Sequence, residues 1–210
     1  HTDAVQVVGN LRIDLEKLGV DLLSMSAHKF YGPKGIGALY VKEGIEFERV
    51  QDGGHQEKNK RAGTENVAGI VGIAKALELS MTNIENRKKH IERLRDFYIS
   101  EVKKRIPNVR VNGNNNCTLP GIANISFDGV IGEDIVLNLD MKGICASSGS
   151  ACTSGQNTTS HVLSAIGLDE SLINGALRIS IGEENTIDEI KILVDSLEEI
   201  VKRLRKNIIK

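Results

Sequence analysis

From Ile84 to Ile106 the sequence runs without glycine or proline until Pro107 interrupts it. Ile91, Leu94, Tyr98 and Val102 recur there at three- and four-residue spacing, the pattern of an amphipathic helix with one apolar face. Proline cannot continue such a helix, so it ends at that point. A helix this long, placed after a strand-rich stretch, reads as a connector. It divides the chain into two expected units, residues 1–85 and 86–210.

Within the first unit, Val20–Ser26 reads as a buried strand and Ile36–Val41 as a second, joined through the turn Gly32-Pro33-Lys34-Gly35. From Thr64 to about Met81, Val67, Ile70, Val71, Ala74 and Leu77 recur at helical spacing. The second unit reads as α+β. Its strands are expected near 109–111, 122–127 and 176–181, with a helix over about 133–141 that ends at Gly143 in a left-handed cap. Thr186-x-x-Glu189 is a capping-box pattern. Behind it Ile190, Leu193, Val194, Leu197, Ile200, Val201 and Leu204 fall on one helical face.

Composition narrows the function classes. Lys and Arg number 27 against 28 Asp and Glu, a net charge of −1, which argues against a generic nucleic-acid surface or a polybasic membrane anchor. Aromatic residues are 3% with no Trp, so base-stacking platforms are poorly supplied. No apolar run approaches the ~20 residues of a membrane span. His1-Thr2-Asp3-Ala4 has neither the basic start nor the apolar core of a secretion signal. The three cysteines, Cys117, Cys145 and Cys152, lack CxxC spacing. A disulfide framework or a zinc site is therefore not expected, no metal is expected, and a reducing cytoplasmic setting is.

Several short segments carry possible chemistry. Ser26-Ala27-His28-Lys29 stands where a buried strand gives out into a Gly-rich loop, the place where α/β sheets present ligand groups. A lysine there can form a Schiff base with a carbonyl cofactor, and Ser26 and His28 can bind a phosphate beside it; the plainer reading is a solvated lysine in a turn. Asp3 could face a pyridine nitrogen and keep it protonated, with Gln6 bonding the ring oxygen, or Asp3 could be a surface cap. Arg61-Ala62-Gly63-Thr64 precedes a helix, so Thr64 could hold an anion or merely cap that helix. His55, after Gly53-Gly54, has no partner assignable by spacing. The run Ala146 to Gly155 is made of small residues around one thiol, Cys152, as suits a displayed, reactive cysteine. Cys145 reads as core and Cys117 as loop. Arg178, in an otherwise apolar strand, could clamp a carboxylate in bidentate fashion or make a structural ion pair.

Together these residues resemble one family, the pyridoxal-phosphate-dependent cysteine desulfurases of the iron–sulfur assembly and nitrogen-fixation type, within the class V aminotransferase-like enzymes. The segments that carry the resemblance are His1–Gln6, Ser26–Gly35, Arg61–Thr64, Ser147–Cys152 and Leu177–Ser180, in family order. The resemblance implies an α/β fold: the C-terminal part of a fold type I large domain over 1–85, and a smaller α+β C-terminal domain over 86–210 carrying the cysteine loop. It implies that Lys29 holds pyridoxal 5'-phosphate covalently and moves protons, Asp3 pairs with the pyridinium, and Gln6 with the ring hydroxyl. Ser26 and His28 would bind the phosphate, with Thr64 reaching it from the partner subunit of a homodimer. Arg178 would hold the carboxylate of L-cysteine, and Cys152 would take the sulfur as a persulfide while L-alanine leaves. A sulfur acceptor or iron–sulfur scaffold protein is the implied partner, with no nucleic acid and no membrane. Family members are about twice this long, so the chain is expected to be the C-terminal half of an enzyme and inactive alone. Another fold type I aminotransferase or lyase would share Lys29 and Asp3 but would have no use for the thiol.

Overall fold

A computed structural model of the chain describes residues 1–114, 118–148 and 160–208. They form two compact units, His1–Asn86 and Arg87–Lys210.

In the first unit, β1 (Thr2–Asp3) runs parallel to β2 (Leu22–Ser26), and β2 pairs antiparallel with β3 (Gly37–Val41). Strand side chains alternate between faces. Leu23 therefore turns into the core with Ala4, Val8, Ala27, Phe30 and Ile73, and its neighbours Ser24 and Met25 divide between the two faces. Helix α1 (Leu15–Leu18) is capped by the Asp14 side chain and closed by Gly19 in the left-handed region. A 3-10 turn, Ala27–Phe30, follows β2, and a four-residue turn α2 (Gln56–Asn59) precedes α3 (Val67–Thr82).

Helix α3 forms where its spacing predicts, but its inward side is rotated from the expected stripe, of which Leu77 is half-buried against the core. Gly69, Ile73 and Ser80 are buried, whereas Val67, Ile70 and Val71 are 66, 41 and 64% exposed. Close approach explains the choice. The helix packs beside the 3-10 turn and its loop so tightly that a Cβ on Gly72 would stand 2.5 Å from Pro33 Cγ. Gly69 and Gly72 let that side of the helix approach, so Ile73 is buried beside them and Val67, Ile70 and Val71 are left outside.

The second unit begins within α4 (Ile84–Arg105) and continues β4 (Val109–Val111), β5 (Ile122–Phe127), α5 (Gly132–Asp140), α6 (His161–Ala165), α7 (Glu170–Asn174), β6 (Ala176–Ser180) and α8 (Ile187–Ile208). The strands form an antiparallel sheet in the order β4-β5-β6. Its core joins Ile91, Leu94, Tyr98 and Val102 of α4 to Ile125 and Phe127 of β5, Leu177 of β6, and Leu193, Val194, Leu197 and Ile200 of α8. Each fully buried leucine or isoleucine in such a core is worth about 2 kcal/mol before conformational entropy is subtracted. Helix α5 ends as expected: Gly143 takes φ +74, and the Ile144 N–H donates to the Leu139 carbonyl at 3.0 Å.

The capping box is formed. The Thr186 N–H donates to the Glu189 carboxylate at 2.8 Å, and the Glu189 N–H donates to Thr186 Oγ1 at 3.3 Å. The Thr186 N–H, and after it the Asn185 amide, hold the Glu189 carboxyl below the usual carboxylate range. A carboxyl whose folded pKa is lowered stabilises the fold above its unfolded pKa, about 4.3, and loses that contribution as pH falls through the lowered value. Glu189→Gln should therefore lower the melting midpoint at neutral pH, with the difference from wild type closing as the scan moves below about pH 4. Tyr98 is fully buried, burial pushes its hydroxyl pKa upward, and the hydroxyl has no hydrogen-bond partner among the described residues. An unpaired buried hydroxyl costs about 1–3 kcal/mol. Tyr98→Phe is accordingly expected to raise stability by about 1 kcal/mol, read as a higher melting midpoint.

Candidate active site

Because β1 and β2 are parallel, their carboxyl ends lie at one edge of the sheet, which is where α/β folds place ligand groups. Asp3 ends β1 and Ser26 ends β2. Asp3 is in register with Ser24, so their side chains share the face opposite buried Leu23. On that face His1 Nε2 meets Ser24 Oγ at 2.7 Å. The Asp3 carboxylate accepts the Val5 N–H at 2.9 Å, which fixes it at the strand end.

The 3-10 turn after β2 sorts its four residues. With three residues per turn, positions i and i+3 point the same way. Ala27 and Phe30, 0% and 2% exposed, point into the core, and His28 and Lys29 therefore point out. The Ala27 N–H donates to the Ile36 carbonyl at 3.1 Å and the Gly32 N–H to the Ala27 carbonyl at 2.9 Å, tying the turn down at both ends. Ser26 Oγ meets His28 Nδ1 at 2.8 Å, and Lys29 is exposed beside them. Gln6 is exposed in the turn after β1, where its carbonyl accepts the Asn10 side-chain amide at 3.0 Å.

Thr64 does not cap α3. Asn66 does, accepting the Gly69 N–H at 3.0 Å, and Thr64 stands exposed before it. The loop leading to Thr64 contains a feature not visible in the sequence. Glu57, Lys58 and Asn59 have φ of 49, 53 and 66°, successive non-glycine residues in the left-handed region. That region costs an ordinary L-residue about 1–2 kcal/mol, and asparagine least. His55, which had no assignable partner, meets Asn59 Oδ1 through Nδ1 at 2.6 Å.

In the second unit Arg178 is the middle residue of β6, cross-strand from Asn124. Its backbone also pairs with Ser147: the Arg178 N–H donates to the Ser147 carbonyl at 2.6 Å, and the Ser147 N–H donates back at 3.2 Å. The Arg178 side chain is half-buried, and its Nε has no hydrogen-bond partner among the described residues. Cys152 and Cys117 lie outside the described residues. Cys145 is exposed, not core. After the left-handed exit at Gly143, Ile144 takes the inward position against the core and the next residue faces out.

Residues 1–193 match the model of the class-V aminotransferase family. The chain belongs to that family. Among curated relatives it is similar to a cysteine desulfurase IscS of Dictyoglomus turgidum, 49% identical over 98% of this chain and 52% of that protein. It is also similar to a cysteine desulfurase of Nostoc sp., at 47% identity over 98% of this chain and 51% of that one. The chain thus spans about half the length of the curated relatives it matches. Among solved structures, a NifS-like protein of Rickettsia africae superposes with a TM-score of 0.87 at 32% identity, over 95% of this chain and 52% of that chain. A protein described as SspA in complex with cysteine gives a TM-score of 0.66 at 33% identity, over 89% of this chain and 51% of that one. The fold is therefore that of the matching half of the NifS-like, fold type I members of the class-V family.

Proposed function

We propose that the full-length protein is a pyridoxal-phosphate-dependent cysteine desulfurase that passes sulfur from L-cysteine to an acceptor protein. The observation that carries this reading is the set of groups at the carboxyl edge of β1 and β2: a carboxylate, a hydroxyl–imidazole pair and a primary amine. Their chemistry fits pyridoxal phosphate, which presents a basic ring nitrogen, a phosphate and a carbonyl. Asp3 would keep the ring nitrogen protonated, Gln6 would bond the ring oxygen, Ser26 and His28 would take the phosphate, and Lys29 would hold the carbonyl carbon. When bound, the cofactor supplies an electron sink for pairs left on substrate carbon. The names of the relatives, cysteine desulfurases at 47–49% identity over nearly the whole chain, support cysteine as the substrate.

In this reading the guanidinium of half-buried Arg178 would donate to the substrate carboxylate, a charge-assisted bond of the stronger kind. The Lys29 amine would carry the proton that leaves or joins substrate carbon. The thiolate of Cys152 attacks the sulfur of the bound cysteine. A sulfur–sulfur bond forms as the carbon–sulfur bond breaks, the electron pair stays with carbon, and that carbon takes up a proton. The products are L-alanine and a persulfide on Cys152. Two copies of the chain would complete each site, with Thr64 of one reaching the phosphate held by the other. An iron–sulfur scaffold is the acceptor that the IscS names favour, and a cytoplasmic setting accords with the reactive thiol.

The test is to incubate the full-length protein with L-cysteine and a thiol reductant and to quantify alanine and sulfide. One alanine per sulfide supports the reading. Pyruvate and ammonia in place of alanine would make the protein a lyase.

A further inference from the structure

The left-handed turn at Glu57–Asn59 has a position as well as a cost. It lies between Gly53-Gly54 and Arg61–Thr64, and its clamps tie the two sides of that loop together. His55 Nδ1 meets Asn59 Oδ1 at 2.6 Å. The Gly63 N–H donates to the Gln56 side-chain oxygen at 3.1 Å. Arg49 Nε donates to the Asn59 carbonyl at 3.0 Å. Lys60 Nζ donates to the Phe47 carbonyl at 2.8 Å, and the same ammonium stands 4.7 Å from the centre of the Phe47 ring.

Burial does not explain the turn, because His55, Glu57, Lys58 and Asn59 are all exposed. A backbone held out of its preferred region persists only where its surroundings over-determine it, and such places cluster at ligand clamps. Here the clamp ends one residue from Thr64, since Gln56 holds the N–H of Gly63.

We propose that His55, Gln56 and Asn59 are positioning residues for Thr64. The His55–Asn59 contact locks the left-handed turn, and the turn, acting through Gln56 and the Gly63 N–H, sets where the Thr64 hydroxyl stands to receive the cofactor's phosphate. The proposal rests on the reading of Thr64 as a phosphate ligand. An unclamped loop would have to be ordered by the phosphate on binding, and that ordering would be subtracted from affinity.

The experiment titrates full-length apo-protein with pyridoxal phosphate and, separately, with pyridoxal, which lacks the phosphate. His55→Ala is expected to weaken pyridoxal phosphate roughly 3- to 10-fold, the worth of one hydrogen bond, and to leave pyridoxal unchanged. Asn59→Asp, which keeps an oxygen for His55 Nδ1, is expected to stay within about twofold of wild type. Thr64→Ala serves as the control on the underlying reading and should also weaken only the phosphate-bearing ligand. If Thr64→Ala does so and His55→Ala does not, the clamp is overturned while Thr64 keeps its role. If His55→Ala weakens both ligands alike, its role is structural and the proposal fails. If Thr64→Ala changes neither affinity, the reading of Thr64 falls and the proposal falls with it.

Discussion

Full-length protein carrying Lys29→Ala is expected to purify without the visible absorbance of covalently held cofactor and to lose alanine formation by at least about 10²- to 10⁴-fold, the range for removing a positioned proton carrier. The fold should not suffer. Lys29 is exposed and contributes nothing to the core that Ala27 and Phe30 anchor on either side of it, and surface substitutions of that kind stay within about 0.5 kcal/mol. Absorbance and melting midpoint, measured on the same preparation, separate the two effects. An unchanged absorbance band would place the covalent link on another residue. A large drop in melting midpoint would mean that the 3-10 turn depends on the amine after all.

Cys152→Ser is the complementary change and should give the opposite pattern. The cofactor band is retained, because Asp3, Ser26, His28 and Lys29 are untouched, while sulfide release from L-cysteine falls to the level of a protein-free control. Thiols are nucleophilic near neutral pH because a few per cent is thiolate, and a serine hydroxyl has no comparable fraction. Nor can an alkoxide store sulfur as a persulfide. Normal desulfuration by this variant would assign the sulfur-carrying role elsewhere, with exposed Cys145 the next thiol to test.

The sequence made the second unit easier to read than the first. Ile91, Leu94, Tyr98 and Val102 on α4, and Ile190 through Val201 on α8, form long apolar stripes, and they are buried as their spacing predicts. A stripe of that length has one way to leave water. Thr186 and Glu189 signal a helix start by local chemistry alone and make the bonds expected of them. Helix α3 is harder to read, because its stripe of Val67, Ile70 and Val71 competes with a side made of Gly69, Gly72, Ile73 and Ala76. The contest is decided by how closely the loop at Pro33 must approach, a tertiary fact with no periodicity. Cys145, expected in the core, faces out for a related reason: one left-handed residue at Gly143 shifts which of two neighbours faces inward.

At the candidate site, residue identities were legible and their arrangement was not. Asp3, Ser26, His28 and Lys29 stand out as chemistry-bearing residues, but only the parallel pairing of β1 with β2 brings Asp3 to the edge that Ser26 occupies. The 3-10 turn then decides that His28 and Lys29, not Ala27 and Phe30, face outward. The contact of His1 with Ser24, the left-handed turn at Glu57–Asn59 and the pairing of Ser147 with Arg178 depend on backbone angles and register. Adjacent residue types do not encode them. The Gly53-Gly54-His55 run was the one available hint, since paired glycines mark a chain about to take an unusual path.

The central claim is that sulfur leaves L-cysteine onto Cys152. Its most direct test is the mass of the peptide containing Cys152 after full-length protein has met one equivalent of L-cysteine without reductant. The expected result is that peptide heavier by one sulfur atom, with a matching amount of L-alanine in solution and the extra mass removed by added thiol. Alanine formed with the Cys152 peptide unchanged, or the sulfur found on another cysteine, would contradict it.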